Sequence, residues 1–184
     1  VVALKKLSHK GLNIIENNDN LGFAKANNIG IAASQGKYIL LLNSDTKVIN
    51  NVIAELVSFA QITPDAGVVA PKLLNADEST QPSIFKFPTI TRAIQQYWLG
   101  VNNVLSKYAL ETHDPTAVDA VVGAAFLITP KARKKVGLLS EAYFMYFEDI
   151  DYCKRVWNSG LKVYYLPCSY LIHLHGGSGN AGVN

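Results

Sequence analysis

Four short stretches of the chain carry side chains that could bind an ion or move a proton. They read Phe-Met-Tyr-Phe-Glu-Asp-Ile-Asp at 144–151, Leu-Leu-Asn-Ser-Asp-Thr at 41–46, Asn-Leu-Gly-Phe-Ala-Lys-Ala-Asn-Asn at 20–28, and Leu-Ile-His-Leu-His-Gly-Gly-Ser at 171–178. Each stretch has a chemical interpretation and a structural one. Taken singly, the residues leave both open.

The acidic stretch holds Glu148, Asp149 and Asp151 directly after a run of apolar and aromatic residues. Carboxylates are favoured at a helix N-terminus in any case, so a structural role is a strong alternative. An aromatic neighbourhood would desolvate a carboxylate, raise its pKa and suit it to act as a general base. Arg155 follows Asp151 by four positions, which predicts an ion pair along the helix.

The other stretches could bind a cation or an anion. Asp45 could hold a hard divalent cation, although it also suits a turn. Gly22 begins a predicted helix, whose free N–H groups favour anions, but a simple cap at Asn20 explains the pattern equally well. His173 and His175 alternate, so only one of them can face a given site on an extended segment.

The secondary-structure pattern predicts an α/β fold, because strands and helices alternate along the chain. The continuous apolar run at 37–43 is typical of a strand buried on both faces of a parallel sheet, and ligands bind at the carboxyl ends of such strands. We predict strands over 12–16, 37–43, 68–74, 118–129 and 162–166, the last ended by Pro167 and followed by an extended piece over 170–175. We predict helices over 22–34, 50–62, 130–136 and 148–159.

Composition narrows the class of protein. The chain has 184 residues, of which 49% are hydrophobic and 17% charged, which suits one folded domain over residues 1–184. The net charge of +3 is too weak and too scattered for a nucleic-acid binder. Cys153 and Cys168 are predicted to be free, buried thiols in a reducing compartment. No apolar run is long enough to span a membrane.

In their order along the chain, these motifs resemble family 2 glycosyltransferases, in particular rhamnosyltransferase-like members that build surface polysaccharides. Val-Val-Gly-Ala-Ala-Phe-Leu-Ile-Thr-Pro at 121–130 and Tyr-Tyr-Leu-Pro at 164–167 belong to the same series, which extends over residues 12–178. The resemblance implies a GT-A nucleotide-diphospho-sugar transferase fold, with a Rossmann-like, mostly parallel sheet flanked by helices. It also implies glycosyl transfer with inversion at the anomeric carbon.

The resemblance also implies roles for individual residues. Asp149 would be the general base, with Glu148 beside it, and Asp45 and His173 would bind Mg²⁺ or Mn²⁺. Gly123 and Ala124 would line the sugar and acceptor side. The residues implied in binding the donor and its diphosphate are Gly22, Asn27, Asn43, Ser44, Asp45 and Ser178.

The implied partners are a dTDP-, UDP- or GDP-sugar donor and a saccharide or lipid-linked acceptor, in the cytoplasm at the inner face of the membrane. A peripheral membrane contact and a homo-oligomer stay open. The basic segment 131–135 could meet an anionic membrane, but a solvated helix face is the favoured interpretation. Residues 83–113 are expected to shape the acceptor side.

Family members begin with a βαβ unit that would precede Val1, so the resemblance implies an N-terminally truncated domain whose donor binding alone is weak. Two alternatives stay open. One is a catalytically inactive fragment that acts as a binding or assembly partner of a glycosyltransferase. The other is a nucleotidyltransferase on a related sheet, although the glycine-rich basic loop typical of such enzymes is not visible near the start.

Overall fold

A six-stranded mixed sheet forms the centre of the computed structural model, which describes residues 6, 9 and 11–174. The helices are α1 (Phe23–Ala33), α2 (Val52–Ile62), α3 (Ile90–Tyr97), α4 (Pro130–Val136) and α5 (Glu148–Asn158). The strands are β1 (Ile39–Leu42), β2 (Thr46–Lys47), β3 (Ala66–Leu74), β4 (Ile84–Phe85), β5 (Thr116–Val118), β6 (Ala120–Val121), β7 (Ala125–Ile128) and β8 (Lys162–His173).

The order of the sheet is β1-β7-β3-β8-β2, with β5 also paired to β8, while β4 and β6 form a separate small ribbon. The long β3–β8 ladder is parallel, and the other pairings within the large sheet are antiparallel. The α/β class is therefore confirmed, but among the described strands the expected mostly parallel order is not found. The reason is that β7 lies between β1 and β3 and runs in the direction opposite to both.

Two apolar layers hold the helices against the sheet. One layer packs α1, α4 and α5 on the side where Phe126 and Tyr152 meet edge to face, with ring centroids 5.7 Å apart. The other layer packs α2 on the opposite side, through Val52 and Leu56. Burying both faces explains the continuous apolar run of β1. Leu42, however, is 39% exposed at the end of that strand.

Strand β8 continues through Pro167 to His173, so the predicted stop at 166 is wrong. The pairing with β3 moves from Pro71 opposite Leu166 to Lys72 opposite Tyr170, which leaves residues 167–169 outside the regular ladder. A bulge tolerates proline because the residue there needs no ladder hydrogen bond. Cys168 lies in this bulge and is exposed, whereas Cys153 is buried as predicted; both thiols are free.

Two further strand predictions are corrected. Residues 12–16 form no strand, since they pair with no other described strand and Leu12 and Ile15 remain exposed. The run 118–129 is divided into β5, β6 and β7, with breaks at Asp119 and at 122–124. Asp119 leaves the ladder to accept hydrogen bonds from the Phe87 N–H at 2.8 Å and from Arg92 at 3.3 Å.

The four predicted helices are confirmed to within about two residues of their ends. Helix α4 spans the predicted residues, with Pro130 in its first turn and the Thr129 hydroxyl accepting from the Ala132 N–H at 3.3 Å. Helix α5 carries the predicted Asp151–Arg155 ion pair at 2.8 Å. None of the described helices is long and apolar enough to cross a bilayer.

Candidate active site

Five elements converge on one cavity of about 360 Å³. The ends of β1 and β8 bring Asp45 and His173, the β6–β7 connection brings its backbone, and the starts of α1 and α5 close the sides. The lining includes seven residues that the sequence singled out: Asn43, Asp45, Gly123, Ala124, Glu148, Asp149 and His173. The sequence-distant motifs thus form a single site.

Strand β2 holds Asp45 beside His173. Thr46 lies opposite His173 in the β2–β8 pairing, and the Leu174 N–H donates to the Asp45 backbone oxygen at 2.8 Å. The side chains meet with Oδ1 of Asp45 3.4 Å from Nε2 of His173. Both are nearly buried, with side-chain exposures of 12% and 5%. Backbone pairing therefore fixes the two groups before any ligand binds.

Gln81 determines which nitrogen of His173 carries the proton. The side-chain Nε2 of Gln81 donates to Oδ1 of Asn75 at 2.8 Å and to the His173 backbone oxygen at 3.3 Å. Its Oε1 is consequently the atom 2.8 Å from Nδ1 of His173, and Nδ1 must be the donor. In the neutral imidazole, Nε2 then presents a lone pair towards Asp45.

This arrangement fits a divalent cation. Oδ1 of Asp45 is buried and accepts no hydrogen bond from the described residues. When His173 is neutral, the lone pair of its Nε2 faces this oxygen and the two acceptors need a cation between them; when the ring is protonated, the same contact is an ion pair. No group of three or more His, Cys, Asp or Glu ligands occurs within the described part of the chain. Such a sparse set suits Mg²⁺, which is commonly held by one or two carboxylates and completed by substrate phosphates.

Asp149 is held at another part of the same cavity by backbone donors. The Gly123 N–H donates to Oδ2 at 3.1 Å, and the Ile150 N–H donates to Oδ1 at 2.8 Å. Burial raises the pKa of this carboxyl above its usual range, against the lowering effects of these hydrogen bonds and of the Lys107 ammonium. A proton is therefore bound more readily here than by an exposed aspartate.

Glu148 is the more buried neighbour, with 5% of its surface exposed. Its Oε2 is buried and accepts no hydrogen bond from the described residues. Burial raises the pKa of Glu148, and the adjacent charge of Asp149 adds to the effect. The two acids thus both resist ionisation, but only Asp149 is oriented by hydrogen bonds to both oxygens.

The family model for glycosyl transferase family 2 matches residues 1–123, about two thirds of the chain. The chain belongs to glycosyl transferase family 2. The matched range includes Asp45 and ends at Gly123, so about half of the residues that line the cavity lie within it. The acidic and histidine stretches of the site lie beyond it.

Named relatives of this family 2 chain are similar over most of its length. It is 27% identical over 165 residues to the low-salt glycan biosynthesis hexosyltransferase Agl10 of Haloferax volcanii, covering 85% of this chain and 50% of that protein. It is 29% identical over 163 residues to the rhamnosyltransferase WbbL of Escherichia coli K12, covering 83% and 60%. It is 28% identical over 142 residues to the N-acetylglucosaminyl-diphospho-decaprenol L-rhamnosyltransferase of Mycobacterium tuberculosis, covering 74% and 46%.

The solved structure of GalNAc-T7 with UDP, GalNAc and Mn²⁺ supports the GT-A-like fold of this family 2 domain. The two share a TM-score of 0.67 at 16% identity, over 94% of this chain and 34% of that one. At this identity the likeness concerns the fold alone. The chain spans between 46% and 60% of the three named relatives, so their activities are properties of longer proteins.

Some residues predicted for the donor site of this family 2 domain do not line the cavity. Gly22 has φ +76° and packs on the Phe144 backbone, where a Cβ would come within 2.2 Å of the carbonyl oxygen. Asn27 donates to the Phe23 backbone oxygen of its own helix at 2.8 Å. Ser44 is exposed and does not line the cavity. Ser178 lies outside the described residues, as does His175.

The aromatic segment 144–147, which is the lead-in to α5, does not enclose Asp149 as expected. Tyr146 and Phe147 both adopt left-handed backbone conformations, with φ of 68° and 72°, and the two residues are 73% and 57% exposed. Consecutive left-handed residues turn the chain sharply, and this turn directs Glu148 and Asp149 inward. The lead-in therefore forms the rim of the site.

Several lining residues carry no sequence signal that identifies them. Phe85 and Lys107 come from the region 83–113, which matches no recognisable pattern, and Lys107 nevertheless lowers the pKa of Asp149. Gln81 stands in a polar turn, 92 positions before the histidine that it orients. Nothing in the neighbouring sequence distinguishes this glutamine, so only the three-dimensional structure reveals its role.

A second cavity of about 450 Å³ adjoins the first. The two share Phe85, Lys107, Tyr146 and Asp149 in their linings. The second cavity extends to α3, where Gln96 and Tyr97 contribute to the wall. Asp149 therefore faces both cavities, one of which also holds the Asp45–His173 pair.

Proposed function

We propose that the protein moves a glycosyl group from a nucleotide-diphospho-sugar to an acceptor hydroxyl, with inversion at the anomeric carbon. The observation that carries this proposal is the shared cavity. Asp45 and His173 suit the binding of a cation whose remaining coordination positions a diphosphate can fill. Asp149 is a raised-pKa carboxylate in the same space. Family 2 membership supports the reaction class.

In the proposed step the acceptor hydroxyl attacks the anomeric carbon and its proton passes to the Asp149 carboxylate. A new bond forms between the acceptor oxygen and that carbon. The bond from the carbon to the diphosphate oxygen breaks, and its electron pair leaves with the nucleoside diphosphate. Attack from the face opposite the leaving group requires the base and the diphosphate site to be separate, which suits two groups on different elements.

Asp45 and His173 would hold Mg²⁺ or Mn²⁺, with Gln81 keeping the His173 lone pair directed at the ion. The chemistry that such an ion supplies is neutralisation of the negative charge on the departing diphosphate. Asn43 lines the same wall and could contact the donor. Gly123 and Ala124 line it next to Asp149, which is consistent with a sugar or acceptor contact.

Three acids cluster at the start of α5, and the contacts favour Asp149 as the base. Asp151 is engaged by Arg155 at 2.8 Å and does not line either cavity. Glu148 lines only the first cavity, without the two backbone donors that orient Asp149. A base must be fixed within hydrogen-bond reach of the hydroxyl that it deprotonates. Asp149 alone among the three faces both cavities.

The names of the relatives suggest the substrate class. Two of the three named relatives are rhamnosyltransferases, and the name of the Mycobacterium tuberculosis protein specifies a lipid diphosphate acceptor. We extend this to a hexosyl or deoxyhexosyl donor carried by dTDP, UDP or GDP, and to a lipid-linked acceptor at the cytoplasmic face of the membrane. Surface polysaccharide or glycolipid synthesis is the corresponding process.

The test compares Asp149→Asn with Asp151→Asn in the full-length protein, in a transfer assay using nucleotide-sugar donors. Loss of the base should lower kcat by about 10²–10⁴-fold while donor binding stays near that of the wild type. The matched Asp151→Asn variant loses only a helix ion pair, worth about 0.3–0.5 kcal/mol, and should retain turnover. Unchanged turnover in Asp149→Asn would remove Asp149 from its role. Donor binding without transfer by the wild type would favour the non-catalytic alternative.

A further inference from the structure

Helix α3 is attached to the protein by its polar side. The Arg92 guanidinium donates from Nη1 to the Phe87 backbone oxygen at 2.6 Å and contacts Asp119 at 3.3 Å. Gln96 accepts from the Leu105 N–H through Oε1 at 2.9 Å. The inward-facing positions of this helix are therefore polar or small, and none of its residues is buried.

The apolar residues of α3 and its C-terminal extension point to solvent instead. They follow helical spacing, and their exposures range from 43% to 85%. We call this set the apolar stripe: Ile90, Ile94, Tyr97, Trp98 and Val101. A surface helix of a globular protein ordinarily turns such a stripe towards the core, so α3 has the reverse orientation. Grouped exposed apolar residues of this kind are typical of interaction sites.

We propose that the apolar stripe docks on an anionic lipid bilayer. Residues 83–110 contain Lys86, Arg92 and Lys107 and no aspartate or glutamate. Arg92 is engaged by Asp119, and Lys107 lines both cavities near Asp149, so Lys86, which shares the wall of the second cavity with Tyr97, is the lysine left to meet anionic headgroups beside the stripe. Tyr97 and Trp98 at the end of α3 are the residue types that prefer the headgroup boundary. Apolar, aromatic and cationic groups together match a helix lying in the membrane interface.

The position of the stripe relative to the candidate active site supports this partner. Tyr97 belongs to the stripe and also lines the second cavity, whose wall includes Lys107 and Asp149. A bilayer under the stripe would thus adjoin a cavity that leads to the proposed base. An amphiphilic acceptor could stay in the lipid while its head enters that cavity. Only this last point rests on the proposed function.

The basic segment of α4 does not share these features. Lys131 donates to the Pro64 backbone oxygen at 2.7 Å, and Lys135 donates to that of Ser159 at 3.0 Å. The first contact places the start of α4 near the N-terminal end of β3, whereas the Asp45–His173 pair lies near the C-terminal end of β8, which runs parallel to β3. This segment matches the solvated helix face that its sequence favours.

The experiment measures co-flotation of the protein with vesicles of phosphatidylglycerol and phosphatidylcholine in equal parts, and with phosphatidylcholine alone. The wild type should bind the mixed vesicles and bind the neutral ones far less. Ile90→Ser with Trp98→Ser should weaken binding to the mixed vesicles by at least about tenfold, because two apolar contacts are removed. Lys86→Gln should weaken it by about fivefold.

Two controls separate docking from other effects. Ile62→Ser replaces an isoleucine that is 80% exposed at the end of α2, outside the stripe, and should bind like the wild type. Lys134→Gln removes a charge from α4 and should do the same. Thermal melting followed by circular dichroism verifies that every variant is folded, which is expected since all of these side chains are on the surface.

Absence of wild-type binding to the mixed vesicles would overturn the proposal, and so would equal binding by the stripe variant. A dimer in sedimentation velocity that the stripe variant abolishes, without vesicle binding, would also overturn it and assign the stripe to a second copy of the chain. Vesicle binding requires no donor and no turnover. Asp149→Asn should therefore float like the wild type, which keeps failure of docking distinguishable from failure of the proposed reaction.

Discussion

Replacing Gln81 by methionine tests the proposed ion site without mutating Asp45 or His173, the two proposed ligands. Methionine fills a similar volume at this 4%-exposed position but cannot accept the Nδ1–H of His173, which Gln81 now binds at 2.8 Å. Loss of the partner of one buried donor costs about 1–3 kcal/mol of folding stability. Loss of an outer hydrogen bond to a ligating histidine typically lowers metal affinity by about 10–100-fold. Both effects should appear together.

The matched control is Gln81→Glu, because a carboxylate still accepts from Nδ1 while losing the two Nε2 donations. We expect Mn²⁺ affinity close to that of the wild type in Gln81→Glu and about 10–100-fold weaker in Gln81→Met. Titration followed by the electron paramagnetic resonance signal of free Mn²⁺, with inorganic diphosphate present, measures this directly. Equal Mn²⁺ affinity for Gln81→Met and the wild type would refute the assignment of His173 as a ligand oriented by Gln81.

Three further outcomes are expected. Gly22→Ala should lower the unfolding free energy by about 1–3 kcal/mol in urea denaturation, because its Cβ would overlap the Phe144 carbonyl oxygen at a φ of +76°. Asn28→Ala should lower the unfolding free energy by about 2–4 kcal/mol in the same assay, because the buried Asn28 amide donates to the backbone oxygen of Leu139 and accepts from its N–H. Transfer should fall as the pH drops through the raised pKa of Asp149, and Lys107→Met should move that fall to higher pH, as kcat/KM profiles would record.

The parts of the site that sequence could predict are those with local signals. Asp45 follows an apolar run that forms β1, and Asp149 stands in the first turn of α5, so both are positioned by elements whose patterns are strong. The α4 boundaries follow from Pro130 and its capping threonine. The Asp151–Arg155 pair follows from helical spacing alone. Each of these predictions depends on residues within one turn or one strand.

The unpredicted parts depend on contacts between distant segments. The orientation of His173 depends on Gln81. The pKa of Asp149 is raised by burial and lowered in part by Lys107, 42 positions away in a region that matches no recognisable motif. The insertion of β7 between β1 and β3 is equally invisible, because strand order is not encoded in the pattern of any one strand. Exposure of the stripe on α3 is a further case, since periodicity identifies an apolar face but not the direction in which it points.

The bulge in β8 shows how a local irregularity determines the geometry of the site. If the ladder were regular beyond Leu166, the three residues 167–169 would take up pairing positions opposite the last part of β3. His173 would then extend about 10 Å further along the sheet, at roughly 3.3 Å per residue, and the odd shift would turn its side chain to the other face. The bulge instead brings His173 opposite Thr46 and directs it at Asp45. Pro167, which the sequence pattern predicts to end the strand, is thus accommodated at the irregularity that brings the proposed metal ligands together.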